Sequence, residues 1–213
     1  MCIRDSLHAQ PEIAVASTKV YLNEVVALYI LYQILNNKEY KDSIKELVEN
    51  LKKVSANKDY IYEYAKKISK VKNAYFVGRG FDYKLALEAS LKLKEVSYIH
   101  CEALPAGELK HGSLALIKRD CVVIAILTQD DLVEKMLNNI HEINSRGAKV
   151  ILFSPYADLE KFVSAHVLTP QVDNMLEPFA VMKPLQILAY KTALARNLDP
   201  DKPRNLAKSV TVE

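Results

Sequence analysis

Residues 74–80 read Ala-Tyr-Phe-Val-Gly-Arg-Gly, and this stretch decides the fold. Four apolar residues without alternation predict a strand buried on both faces. The Gly-Arg-Gly after them predicts the tight turn that ends it. Residues 83–97 then carry a helical pattern. Residues 121–127, CVVIAIL, form a second continuous apolar run. Residues 132–145 predict a helix that stops near Gly147, a residue suited to a helix C-terminus. Residues 149–153 (KVILF) and 165–168 predict two more strands, and 176–196 a long helix. Buried strands alternating with helices imply right-handed crossovers and a parallel sheet. The expected fold class is α/β, a three-layer doubly wound parallel sheet over residues 72–197, preceded by linker helices.

Upstream of residue 72 the character differs. Residues 20–37, 41–54 and 59–70 predict three consecutive helices with no strand between them. The opening MCIRDS shares no periodicity with the rest of the chain, and residues 1–7 read as a non-native leader. The chain is therefore expected to begin partway through a larger protein. At the other end, residues 198–213 have no core of their own and must dock or stay loose.

Composition narrows the classes. The 213 residues include 29 basic and 26 acidic side chains, a net charge of +3. That excess is too small for a nucleic-acid footprint, and the lysines of KDSIKELVENLKKV fit a solvated helix face. No uncharged run approaches the roughly 18 apolar residues that a membrane span needs. Three cysteines (Cys2, Cys101 and Cys121) form no paired spacing, so a disulfide framework is not expected and a reducing cytoplasm is. No zinc spacing, Walker loop, GxGxxG or GxSxG occurs, and no metal or cofactor is expected.

Three segments could carry chemistry. Lys92 and Glu95 lie three apart on one helical face, which suits either a surface ion pair or a site. Glu108, Lys110 and His111 sit between Gly107 and Gly112, where a histidine is free to approach a ligand or to form part of a plain polar turn. Lys208 lies in the tail. If docked and desolvated it becomes a candidate for imine or proton-transfer chemistry; otherwise the tail is a frayed terminus.

Three motifs, taken together, carry a resemblance. EIAVASTK at 12–19, LEASLKLKEVSYIHCEALPAGELKHGSLALI at 87–117 and PRNLAKSVTVE at 203–213 resemble the isomerase part of the glutamine–fructose-6-phosphate aminotransferase family. The resemblance covers nearly all of residues 8–213. It implies a sugar isomerase (SIS) fold and the conversion of fructose 6-phosphate and glutamine-derived ammonia to glucosamine 6-phosphate. It divides the chain into the end of a first SIS domain with linker helices (8–71), a second SIS domain (72–197) and a catalytic tail (198–213). A glutaminase domain and most of the first SIS domain are then missing. Glu95 becomes the acid/base moving a proton between sugar carbons 1 and 2. His111 becomes the ring-opening histidine, donated across a homodimer. Lys208 becomes the imine-forming lysine. Val15, Ser17, Lys92 and Ala207 become sugar-binding positions, and Arg204 and Asn205 positioning ones. Neither nucleic acid nor membrane is an implied partner.

One departure stands out. The family grips phosphate with Ser/Thr-rich loops that should precede residue 8. The strand-end loops here, GRGFDYK, LTQDDLVEK and SPYADLEK, hold no such cluster. Serine hydroxyls and helix-terminal amides make a phosphate cradle, and remote phosphate binding supports the chemical step. The chain alone is therefore expected to be weak or inactive. Rival expectations are a free-standing phosphosugar isomerase or deaminase, a sugar-sensing SIS module, and a purely structural dimerisation module.

Overall fold

The computed structural model describes residues 9–56 and 59–209. The leader at 1–7, with Cys2, lies outside the described residues, as do the last four residues of the tail motif. Five parallel strands form one sheet: β1 (Asn73–Gly78), β2 (His100–Pro105), β3 (Val122–Ile126), β4 (Lys149–Ser154) and β5 (Ala165–Leu168), in the order β2-β1-β3-β4-β5. Phe76 in the central β1 sits between Ala103 and Ile124 in register.

Helices cover both faces. Helices α1 (Lys19–Leu35), α2 (Lys41–Ala56) and α3 (Asp59–Ile68) precede the sheet; α4 (Phe81–Ser97), α5 (Val133–Asn144) and α6 (Glu177–Ala195) are threaded through it. Phe76, Ile124 and Phe153 pack with α3, α4 and α6 on one face. Tyr75, Val123, Val150 and Leu152 pack with α5 on the other. From Ala74 onward β1 is therefore buried whichever way a side chain points, which is why the strand shows no polar alternation. The expected three-layer α/β class stands.

The sequence pattern hides β2, because the helical pattern of 83–97 runs on through residues 98–105. In the structure α4 ends at Ser97, and Tyr98 turns the chain with φ of 60° while its N–H donates to Lys94 O at 3.1 Å. A left-handed tyrosine at a helix end is uncommon, and no glycine marks the stop. As an edge strand HCEALP mixes exposed and buried positions, so its pattern is weak.

Strand β1 leads through α4 to β2 on one side, while β3 lies on the other. The carboxyl ends of β1 and β3 thus flank the point where strand order reverses. Gly78 sits there because α4 passes very close: a Cβ on it would stand 2.5 Å from the Asp82 carbonyl carbon.

Candidate functional site

Helix α4 supplies the charged side chains. Lys92 Nζ lies 2.9 Å from Glu95 Oε2 and 3.6 Å from Glu88 Oε1, and only 8% of the lysine side chain is exposed. This is not the solvated surface pair that the spacing allowed. Burial against α6 removes much of the solvent around the triad. Burial raises the Glu88 carboxyl above its ordinary range, and Glu95 adds to the rise while Lys92 opposes it.

Residues 14–18 cross beside α4 and α6. Val15 N–H donates to Asp201 O at 3.2 Å, Ala16 is buried, and Gln186 Nε2 donates to Thr18 O at 3.3 Å. Between them lies a cavity of about 140 Å3, lined by Ala14, Ala16, Thr18, Lys92, Gln186 and Asp201, among others.

Glu12 organises this segment. Its Oε1 accepts from the N–H groups of Thr18 (2.9 Å), Lys19 (2.8 Å) and Val20 (3.3 Å). These are donors that the first turn of α1 would otherwise leave unpaired. Its Oε2 accepts from Ser17 Oγ at 2.8 Å and from Lys208 Nζ at 3.2 Å. Burial alone would raise this carboxyl, but the hydrogen bonds outweigh it and hold the pKa at about 2.

The tail docks on this surface. Arg204 N–H donates to the Tyr98 hydroxyl at 2.8 Å, and the Arg204 guanidinium stands 4.3 Å from the Tyr98 ring centre. Pro203 is buried. Lys208 Nζ also lies 3.4 Å from Val15 O. The desolvated lysine that imine chemistry suggested is not found here: 42% of the Lys208 side chain is exposed and it is ion-paired.

Val15, Ser17 and Lys208 are thus joined directly or through Glu12, and Lys92 with Glu95 lies on the neighbouring helix. Ala207 and Asn205 are exposed in the tail, Asn205 with φ of 61°. His111 stands at the end of the 3-10 turn Ala106–His111 with 75% of its side chain exposed. Its Nε2 lies 3.8 Å from Glu108 Oε2. Sequence reasoning missed Glu12, Glu88 and Tyr98. Glu88 had a signal, since Glu-x3-Lys-x2-Glu places three charges on one helical face.

The carboxyl ends of β3 and β4 hold a second polar network. Asp82 accepts from Thr128 N–H at 2.9 Å and Thr128 Oγ1 at 2.6 Å, and Tyr156 Oη donates to Thr128 O at 2.8 Å. Ser154 Oγ accepts from Tyr156 N–H. The hydroxyls of Thr128 and Ser154 are therefore already engaged within the protein. Nearby, burial, helped by Asp130, pushes the Glu177 carboxyl up to about 7.

The described residues hold no group of His, Cys, Asp and Glu able to bind a metal, and no helix among them is long and apolar enough to cross a membrane.

A model of the SIS domain family matches residues 67–196. A glutamine–fructose-6-phosphate aminotransferase (isomerizing) of Caldanaerobacter subterraneus is 46% identical over 217 aligned residues, spanning 96% of this chain and 36% of the relative. The chain thus spans about a third of the length of such relatives. Among solved structures, the C-terminal domain of glucosamine-fructose-6-phosphate aminotransferase from Francisella tularensis superposes with a TM-score of 0.83 at 33% identity, covering 90% of this chain and 57% of that one. A glucosamine-6-phosphate deaminase of Thermotoga maritima superposes with a TM-score of 0.70 at 26% identity, covering 92% and 58%.

Proposed function

The chain belongs to the SIS domain family, and from that membership we propose that it is the C-terminal isomerase region of a glutamine–fructose-6-phosphate aminotransferase. The longer enzyme would combine fructose 6-phosphate with glutamine-derived ammonia and isomerise the ketose to glucosamine 6-phosphate, in the cytoplasm. The observation that carries the reading is the meeting of residues 12–18 with the tail lysine, Lys208, beside the buried Lys92–Glu95 pair. Residues 8–71 are then the end of a first SIS domain with linker helices, 72–197 the second SIS domain and 198–213 the catalytic tail.

In this reading Lys208 forms an imine with the ketone carbon of the open-chain sugar, releasing water, and ammonia then exchanges into that imine, leaving its nitrogen on carbon 2 and freeing Lys208. Its pair with Glu12 must open first, because a protonated amine has no lone pair to attack with. Glu95 takes the proton from carbon 1 and returns it to carbon 2. One carboxylate can do both because the two carbons share a face of the enediol-type intermediate. Lys92 holds Glu95 in place and contributes positive charge beside the sugar. Val15, Ser17 and Ala207 line it. His111 opens the ring of a sugar held by the other subunit of a homodimer, and its exposure supports such a role.

Two observations support a missing partner domain. Helix α1 leaves Leu28, Leu31, Ile34 and Leu35 exposed, an apolar face that a neighbouring domain would cover. The strand-end hydroxyl of Thr128 already donates to Asp82, and among the described residues no cluster of serines and threonines stands beside it to hold a phosphate.

The test is to supply the purified chain with fructose 6-phosphate and free ammonia, then repeat with the chain joined to the region that precedes it in its reading frame. Little product from the chain and full activity from the longer protein, abolished by Glu95→Gln, is the expected result. Full activity of Glu95→Gln in the longer protein overturns the assignment. Efficient turnover by the chain alone overturns the missing-cradle argument.

A further inference from the structure

Residues 203–209 form neither helix nor strand and bury one side chain, Pro203. Such a segment has little of its own to hold it in one place. Its observed position therefore depends on a few contacts, and two of them are unusual. Arg204 meets Tyr98 through both its backbone and its side chain. The peptide N–H donates to the phenol oxygen at 2.8 Å, and the guanidinium lies 4.3 Å from the ring centre. Four residues later Lys208 meets Glu12 at 3.2 Å.

Both receiving residues are themselves fixed. Tyr98 is the left-handed residue that terminates α4, three positions after Glu95, and its N–H is bonded back to Lys94 O. Glu12 is held by three backbone N–H groups and the Ser17 hydroxyl, and its side chain is 6% exposed. A carboxylate so held cannot swing to follow the lysine; the lysine must come to it. The two contacts therefore set the direction and reach of the intervening Asn205-Leu206-Ala207.

We propose that Tyr98 and Glu12 are positioning residues for the tail, two fixed posts that suspend residues 205–207 and hold the Lys208 amine over residues 15–17. Tyr98 ties the tail to the helix that bears Glu95. Glu12 ties it to the segment that bears Val15 and Ser17. The posts therefore set the distance between the amine and the carboxylate even though they touch neither the sugar nor each other. The tail placement stands on the geometry alone; its consequence for imine formation rests on the aminotransferase reading.

The test is the rate of tryptic cleavage after Arg204 and Lys208, measured by mass spectrometry on the chain as it is. Glu12→Gln puts an amide where Lys208 needs an acceptor, and Tyr98→Phe deletes the phenol oxygen while keeping the ring. Each should speed cleavage at its own post by about fivefold, the scale of one lost polar pair. Glu63→Gln, which breaks the exposed Lys66–Glu63 pair on α3, should leave tail cleavage at the wild-type rate. Wild-type cleavage in both variants overturns the proposal, and so does equal acceleration by Glu63→Gln. If Glu12→Gln fails to fold, Tyr98→Phe decides. A second readout is borohydride trapping at Lys208 with saturating fructose 6-phosphate in the longer protein, which Tyr98→Phe should slow without weakening sugar binding. Absence of trapping in the wild type would count against the aminotransferase reading and leave the cleavage result standing.

Discussion

Lys92 and Glu95 stand 2.9 Å apart within one turn of α4, and Glu88 approaches the same ammonium from the turn before at 3.6 Å. One largely buried cation is therefore shared between two partly buried carboxylates. Removing it leaves two like charges with little solvent to separate them.

Lys92→Met should destabilise the fold by about 2–4 kcal/mol at pH 7.5, in line with stripping a buried pair of one partner. The loss should shrink near pH 4, where Glu88, already raised by burial, takes up a proton. Thermal melts at the two pH values check this, and equal losses at both would contradict it.

Gly78 and Gly107 should behave differently when replaced by alanine. At Gly78 the new methyl meets α4 backbone atoms at 2.5–2.7 Å, so strand and helix must separate. At Gly107 it meets the Arg79 guanidinium at 3.1–3.3 Å, the end of a long side chain. Arg79 is tied to Asn139 at 2.7 Å but can still give way. Gly78→Ala should cost more than about 3 kcal/mol and Gly107→Ala about 1 kcal/mol. Denaturant midpoints of the two variants report the order directly.

Stability should fall on both sides of mildly acidic pH, for opposite reasons. Glu12 is depressed from 4.5 to about 2, so its contribution is complete above pH 4.5 and disappears as pH drops toward 2. Glu177 is raised from 4.5 to about 7, so the unfolded chain releases its proton first and stability declines from pH 4.5 up to 7. Glu177→Gln should lessen that decline, leaving the part that Glu88 and Asp82, also raised by burial, contribute. A Glu177→Gln protein whose stability falls as steeply as the wild type over pH 4.5–7 would assign the whole decline to other groups.

Asp82→Ala should be worse than Asp82→Asn. The alanine leaves the buried Thr128 N–H and hydroxyl without their acceptor, at about 2–3 kcal/mol, whereas asparagine keeps one carbonyl oxygen for one of them. Burial raises the Asp82 carboxyl even against those two hydrogen bonds, so the charge itself is costly here. Equal melting points for the two variants would mean that Thr128 finds another partner.

The central strands were legible because β1, β3 and β4 are buried on both faces and so are written as unbroken apolar runs. Edge strand β2 was not, since only two of its six residues are buried and the helix before it stops without a glycine. Within the site, Glu95 and Lys92 were visible as a helical pair, but their depth was not, because lysine usually marks a surface. Glu12 was invisible as the partner of Lys208. Nothing local distinguishes a glutamate whose counter-ion lies 196 residues away.

That separation has a consequence for how the protein comes into being. A contact between residues 12 and 208 closes almost the entire chain into one loop, and such contacts form late because the intervening polypeptide must already be ordered. On the ribosome the sheet can assemble as its strands emerge, but Glu12 has to wait for Lys208 to be synthesised. A nascent chain halted a few codons short would keep its core and leave the Glu12 carboxylate without the amine it meets.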